Sequence, residues 1–159
     1  MTIESVKYRN WEFEVDREQT AEFYKQVALS GSESCICGNC KYFITIRDQI
    51  YPAEIKDLFI KLGVDINKEF EVCDYGDEEN GHIYSWWFHF IGKMTQGDDC
   101  SKPFGDGNGH TIELSKINEN FKIGFTNKIS MSFFDQKNDL VEVELFAELP
   151  WNASIYQHY

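Results

Sequence analysis

Trp11, Phe13 and Val15 alternate with Glu12 and Glu14, and this period of two predicts a strand with one wet face. Asp16 stands three residues before Gln19, the spacing of an N-cap with a capping-box partner. Ala21, Tyr24 and Val27/Ala28 then recur at helical spacing, which predicts a short helix to about Leu29. The small polar stretch Ser30 to Ser34 breaks the pattern. After it, SCICGNCKYF sets Cys35, Cys37 and Cys40 around a Gly-Asn turn signal, the mark of a tight loop. Tyr42, Phe43, Ile46 and Ile50 fit a helix interrupted at Tyr51-Pro52, because the residue before a proline is pushed out of the α region. Pro52 reads as the first position of another helix, whose Ile55, Leu58, Phe59 and Leu62 share one face and whose left-handed stop is Gly63.

From Glu69 onward the period becomes two. Strands are predicted around Phe70 and Val72, from Ile83 to Ile91, at Ile112 and Leu114, from Phe121 to Phe125, and from Val141 to Leu149. In the last, Val141, Val143, Leu145, Ala147 and Leu149 face one way and Glu142, Glu144 and Glu148 the other, as in an antiparallel sheet open to water on one side. In Tyr84 to Phe90, Trp86, Phe88 and Phe90 share one face while Ile83, Trp87, His89 and Ile91 share the other, so this strand is central. Residues 96–109, rich in Gly, Asp and Asn, read as a long loop. The expected architecture is α+β in a single domain over 1–159. An antiparallel sheet, mainly from residues 69–149, carries on one face two or three helices from residues 17–62.

Composition sharpens this picture. The 13 Phe, 8 Tyr and 4 Trp imply a core packed largely by rings. Fifteen basic against 27 acidic residues give a net charge of −12, which repels phosphate backbones and anionic lipid and supplies no counterion release. Neither nucleic acid nor a membrane is therefore expected as a partner. A basic protein suits the charge, although solubility alone also accounts for it. The N-terminus carries charges where a signal peptide has its apolar stretch, and no run of eighteen apolar residues occurs, so the expected location is the cytoplasm. Asn152-Ala-Ser154 matches a glycosylation acceptor that has meaning only in a secreted chain.

Five cysteines, an odd number, argue against a disulfide framework and for reduced thiols or metal ligands. Three readings of Cys35-x-Cys37-x-x-Cys40 compete. A tetrahedral zinc site would need a fourth ligand from His89, His82, Cys73 or Cys100. His89 comes first among these, because burial would fix its ring. With four protein ligands such a zinc would be structural, since no position is left for a reacting water. Alternatively, Cys37-Gly-Asn-Cys40 precedes a helix, whose N–H groups lower a thiol pKa, and this suits redox exchange. The incomplete ligand set favours packed, unliganded thiols over zinc, and zinc over redox. His89, amid aromatic residues, is by itself more typical of a hydrogen-bonded core group than of a ligand. Asp98, Asp99 and the segment Asp106 to His110 lack the alternate spacing and closing Glu of a calcium loop and read as turn. No hydrolase elbow, zinc-protease helix or phosphate-binding glycine loop occurs.

The segments Cys35 to Phe43, Arg47 to Pro52 (R-D-x-x-Y-P), Leu62 to Asp65 (L-G-V-D), Trp87 to Gly92 (W-F-H-F-x-G) and Glu148 to Trp151 (E-L-P-W) together resemble a family of small uncharacterised bacterial proteins. The resemblance implies a bacterial cytosolic protein and no activity. The expected function is that of a non-catalytic interaction protein, of the kind represented by toxin-neutralising immunity factors, with a structural cysteine loop. The alternative is a thiol-dependent redox enzyme using Cys37 and Cys40.

Overall fold

The computed structural model describes residues 2–76, 82–106, 109–129, 131–134 and 139–149. In chain order the elements are β1 (Glu4–Tyr8), β2 (Trp11–Val15), α1 (Arg17–Gln26), α2 (Gly38–Ile50), α3 (Ala53–Leu62), β3 (Glu71–Asp74), β4 (His82–Gln96), β5 (Ser101–Phe104), β6 (Gly109–Ile112), β7 (Ser115–Asn118), β8 (Phe121–Thr126) and β9 (Leu140–Leu149). Seven strands form one sheet in the order β1-β2-β4-β9-β8-β7, with β3 also on β4, and β5 and β6 form a separate hairpin. Every pairing is antiparallel, so the fold is α+β as the change of period implies.

The helices cover the face to which Tyr84, Trp86, Phe88 and Phe90 of β4 point. Phe43 of α2 packs edge-on against Trp86, Phe59 of α3 against Phe88, and the indole of Trp86 donates to the Tyr51 hydroxyl at 2.7 Å. Val141, Val143, Leu145 and Ala147 of β9 extend the same surface, and these residues belong to one continuous buried cluster. Burying such rings removes on the order of 150–250 Å² each from water, which makes this layer the main source of stability. Capping follows the sequence: the Asp16 carboxylate accepts from the Gln19 N–H at 3.0 Å, and Gly63 ends α3 with φ of 78°.

Several boundaries differ from expectation. Helix α1 stops at Gln26 rather than near Leu29, and Pro52 is the N-cap of α3 rather than its first residue. A strand precedes Trp11, because Glu4 to Tyr8 pairs with β2 in a tight hairpin. The stretch expected to be a long loop contains β5. The second face of β9 is not uniformly wet: Glu148 is exposed, but Glu142 is buried. On that face Glu142 lies between His89 of β4 and Thr126 of β8, while Glu144 lies between Trp87 and Gly124, over which Cys100 sits. Burial raises the pKa of both carboxyls. For Glu144 the hydrogen bond with, and the charge of, Glu142 add to that effect and carry it to about 9.

Candidate metal centre

A buried polar knot holds the cysteine loop against the sheet. Arg47, on the inner face of α2, donates from Nη1 to the Ser30 hydroxyl at 3.1 Å, to Ser32 at 3.3 Å and to Glu69 Oε2 at 3.3 Å, and from Nη2 to Glu33 at 3.1 Å. Glu69 is fully buried and also accepts from the Ser32 N–H at 3.0 Å and the Ser32 hydroxyl. Burial alone would raise the Glu33 carboxyl, but hydrogen bonds from Arg47 and Ser30 hold it below the usual range. Gly31 fits beneath this knot because a Cβ there would stand 2.3 Å from the Phe70 carbonyl oxygen. The Ser30–Ser34 stretch is therefore an anchor. From it the Ser34 and Cys35 N–H groups bond back to the Ser30 and Ser32 carbonyls.

The chain then runs directly into α2. Cys37 is its N-cap, in extended conformation, and the Cys37 sulfur accepts from the Cys40 N–H at 3.4 Å. The Cys35 sulfur accepts from the Cys37 N–H at 3.4 Å and lies 3.1 Å from the Cys37 sulfur. Cys40 is already inside the first turn, so the expected tight loop is half loop and half helix. The three sulfurs all lie within 4.8 Å of one another, with Cys37 exposed and its neighbours half-buried. The Cys40 N–H bond, then the contacts with the Cys35 and Cys40 thiols, lower the Cys37 pKa to about 7. Burial, followed by the neighbouring Cys35 and Cys37 thiols, pushes Cys40 well above the ordinary thiol value. The outcome is an exposed, readily ionised thiol beside two further sulfur donors.

His89 does not join them. It is buried on β4 among Phe70 and Phe134, and its Nε2 is 2.9 Å from Glu142. Burial lowers its pKa to about 4, so the ring is neutral and its Nε2 shares a hydrogen bond with the carboxyl rather than an ion pair. Its assignment as the completing zinc ligand is therefore corrected. The same burial that was expected to present the ring to a metal ties it to a different face of the sheet. Nor do the other candidates enter the group among the described residues: Cys73 lies on β3, and Cys100 is buried over Gly124 with its thiol raised to about 12 by burial. His82 stands nearest in connectivity, since its ring stacks on Tyr42 of α2 at 4.4 Å. Its Nδ1 meets the Tyr84 hydroxyl, which donates to the Asn39 carbonyl between Cys37 and Cys40.

Sequence reasoning missed Arg47, Glu69 and the two serines. Arg47 occupies an inward position of α2 between Phe43 and Ile50, and a charge on an apolar helix stripe is the signal that could have exposed it. Asn152-Ala-Ser154 lies outside the described residues. No described helix is long and apolar enough to cross a membrane. No family model, curated protein or solved structure matches the chain.

Proposed function

We propose that the chain is a non-catalytic cytoplasmic binding protein in which Cys35, Cys37 and Cys40 hold a zinc ion. The convergence of the three sulfurs within 4.8 Å carries this reading. Exchange with a disulfide needs two thiols, and thiols packed for their apolar character belong in the interior rather than at an exposed helix start. Three thiolates select a soft or borderline ion over magnesium or calcium. The fourth position falls to water or to a donor from elsewhere. Among the described residues no carboxylate or histidine joins the group to serve as a base, which supports a holding role rather than hydrolysis. A reducing compartment suits five free thiols, and the −12 surface suits a basic protein partner better than nucleic acid.

Elemental analysis of protein expressed with supplementary zinc tests the reading. One zinc per chain is expected, and Cys37→Ser should lower zinc content and melting temperature together. Protein that remains zinc-free under those conditions defeats it.

One observation favours a second reading, dithiol–disulfide exchange: the Cys37 thiol is lowered to about 7 while Cys40, three residues on, is raised. In that reaction the Cys37 thiolate attacks a substrate disulfide, and Cys40 then resolves the mixed disulfide and releases a second thiol. Reduction of a small disulfide by metal-free protein, abolished in Cys40→Ser, distinguishes this reading from zinc holding.

A further inference from the structure

We infer that the cluster of Cys35, Cys37 and Cys40 is a three-coordinate receptor for trivalent arsenic or antimony. The inference rests on the reading that the three sulfurs act together on one thiophilic centre, and it names a ligand class matched to their number.

Zinc in a closed site is tetrahedral and takes four protein donors. The described residues bring together three, all sulfur. A trivalent group 15 centre forms three bonds to sulfur at the corners of a pyramid, and its lone pair occupies the remaining direction. Three thiols therefore complete its shell, whereas they leave zinc short by one ligand. Softness points the same way, since a set with three sulfurs and neither imidazole nor carboxylate is the softest that side chains offer.

The placement suits entry and retention. Cys37 is exposed at the helix start, with Cys35 and Cys40 half-buried on either side, so a neutral arsenous acid molecule arriving from solvent meets Cys37 first. The N–H groups of Cys37 and Cys40 already point at sulfur, which orients the Cys35 and Cys37 lone pairs before any ligand arrives. The Arg47 knot fixes the preceding segment, so little ordering remains to be done on binding. The step is a substitution without redox change: each thiol loses its proton, three As–O bonds break, three As–S bonds form, and the three hydroxyl groups leave as water.

The full chain, reduced and metal-free, is titrated with sodium arsenite and weighed by native mass spectrometry. The expected adduct is one arsenic per chain with the loss of three hydrogens and no retained hydroxyl. Single Cys35→Ser, Cys37→Ser and Cys40→Ser variants should each retain a hydroxyl on arsenic and bind about a hundredfold more weakly, as expected for loss of one arm of a chelate. Cys73→Ser should match the parent, which keeps the test valid even if one cluster variant folds poorly. An adduct that keeps a hydroxyl in the parent chain, or one weakened by Cys73→Ser, overturns the inference. Zinc uptake is measured separately against a chromophoric chelator. Zinc binding together with a two-sulfur arsenic adduct defeats only this inference. A three-sulfur adduct without zinc uptake defeats only the zinc assignment, and the absence of both defeats the two together.

Discussion

The Tyr24 hydroxyl accepts from the His89 N–H at 3.1 Å and donates to the His89 carbonyl at 2.6 Å, so one side chain stands in for a missing strand. β2 and β3 pair with different lengths of the same edge of β4, at Gly92 to Gln96 and at Tyr84 to Trp87, and among the described residues no strand pairs with the backbone between them on that side. Helix α1 fills the gap: Tyr24 serves His89, and the Thr20 hydroxyl accepts from the Ile91 N–H at 3.0 Å. This accounts for two polar side chains on the buried face of α1.

Tyr24→Phe keeps the ring and removes both bonds, leaving a buried N–H and C=O unpaired at a cost of about 1–3 kcal/mol. Urea unfolding should show that loss, with faster amide exchange at His89. A variant within a few tenths of a kcal/mol of the parent would show that the hydroxyl is dispensable.

Arg47→Met preserves length and packing but strands the fully buried Glu69 carboxylate without its cation. Removing one partner of a buried pair costs roughly 3–5 kcal/mol, while replacing both is far less damaging. The paired variant Arg47→Met/Glu69→Met should therefore recover much of the stability lost by the single change. Equal losses in the two would mean that the guanidinium acts through its serine contacts instead.

Glu144 predicts an opposite effect, a substitution that stabilises. Its folded pKa, about 9, exceeds the ordinary carboxyl value, so the folded state holds this proton more tightly than the unfolded chain does. The associated stability is complete below about pH 4.3 and is lost progressively as pH rises toward 9. Glutamine does not titrate and fits the same space beside Glu142, His89 and Cys100. Glu144→Gln should match the parent near pH 4 and exceed it at pH 8 by roughly 1–3 kcal/mol, measured as the difference between denaturation curves. A constant difference across that range would show that ionisation of Glu144 is not the cause.

How far the sequence was legible depended on whether the signal was local. The alternation in Trp11 to Val15, the Asp16 cap and the Gly63 stop report on neighbouring residues, and each of these three signals stands where the pattern puts it, although the end of α1 and the start of α3 shift. The thiols are adjacent in the chain, so their convergence was also readable, although Cys40 belongs to α2 rather than to the loop. Relations across the fold were not. His89 had the right chemistry for a ligand, but it is held by Glu142, 53 positions away, and no spacing rule connects them. Glu142 itself followed a strict alternation that implied water. His89 and Thr126 flank it on the neighbouring strands and it is buried, and only tertiary packing decides that. Likewise, Ser30 to Ser34 carried the composition of a linker yet forms an anchor because Arg47 and Glu69 arrive from elsewhere.

The last prediction concerns the reactivity of Cys37 in metal-free protein. A thiolate, not a thiol, attacks an alkylating agent, so the rate follows the ionised fraction. With its pKa lowered to about 7 and its sulfur exposed, Cys37 should react with iodoacetamide at a rate that rises through pH 7 and levels off near pH 8. Cys40 and Cys100, held protonated chiefly by burial, should remain slow over the same range. Peptide mapping of partially alkylated protein should therefore find the label first on Cys37, and Cys37→Ser should abolish the fast phase while Cys73→Ser leaves it intact. Zinc supplies the discriminating arm. An ion bound by the three sulfurs occupies the lone pair that attacks, so stoichiometric zinc should slow Cys37 by about tenfold or more without altering Cys73. A fast phase that persists unchanged in zinc would leave Cys37 as a free nucleophile, and the dithiol reading would then displace the metal one.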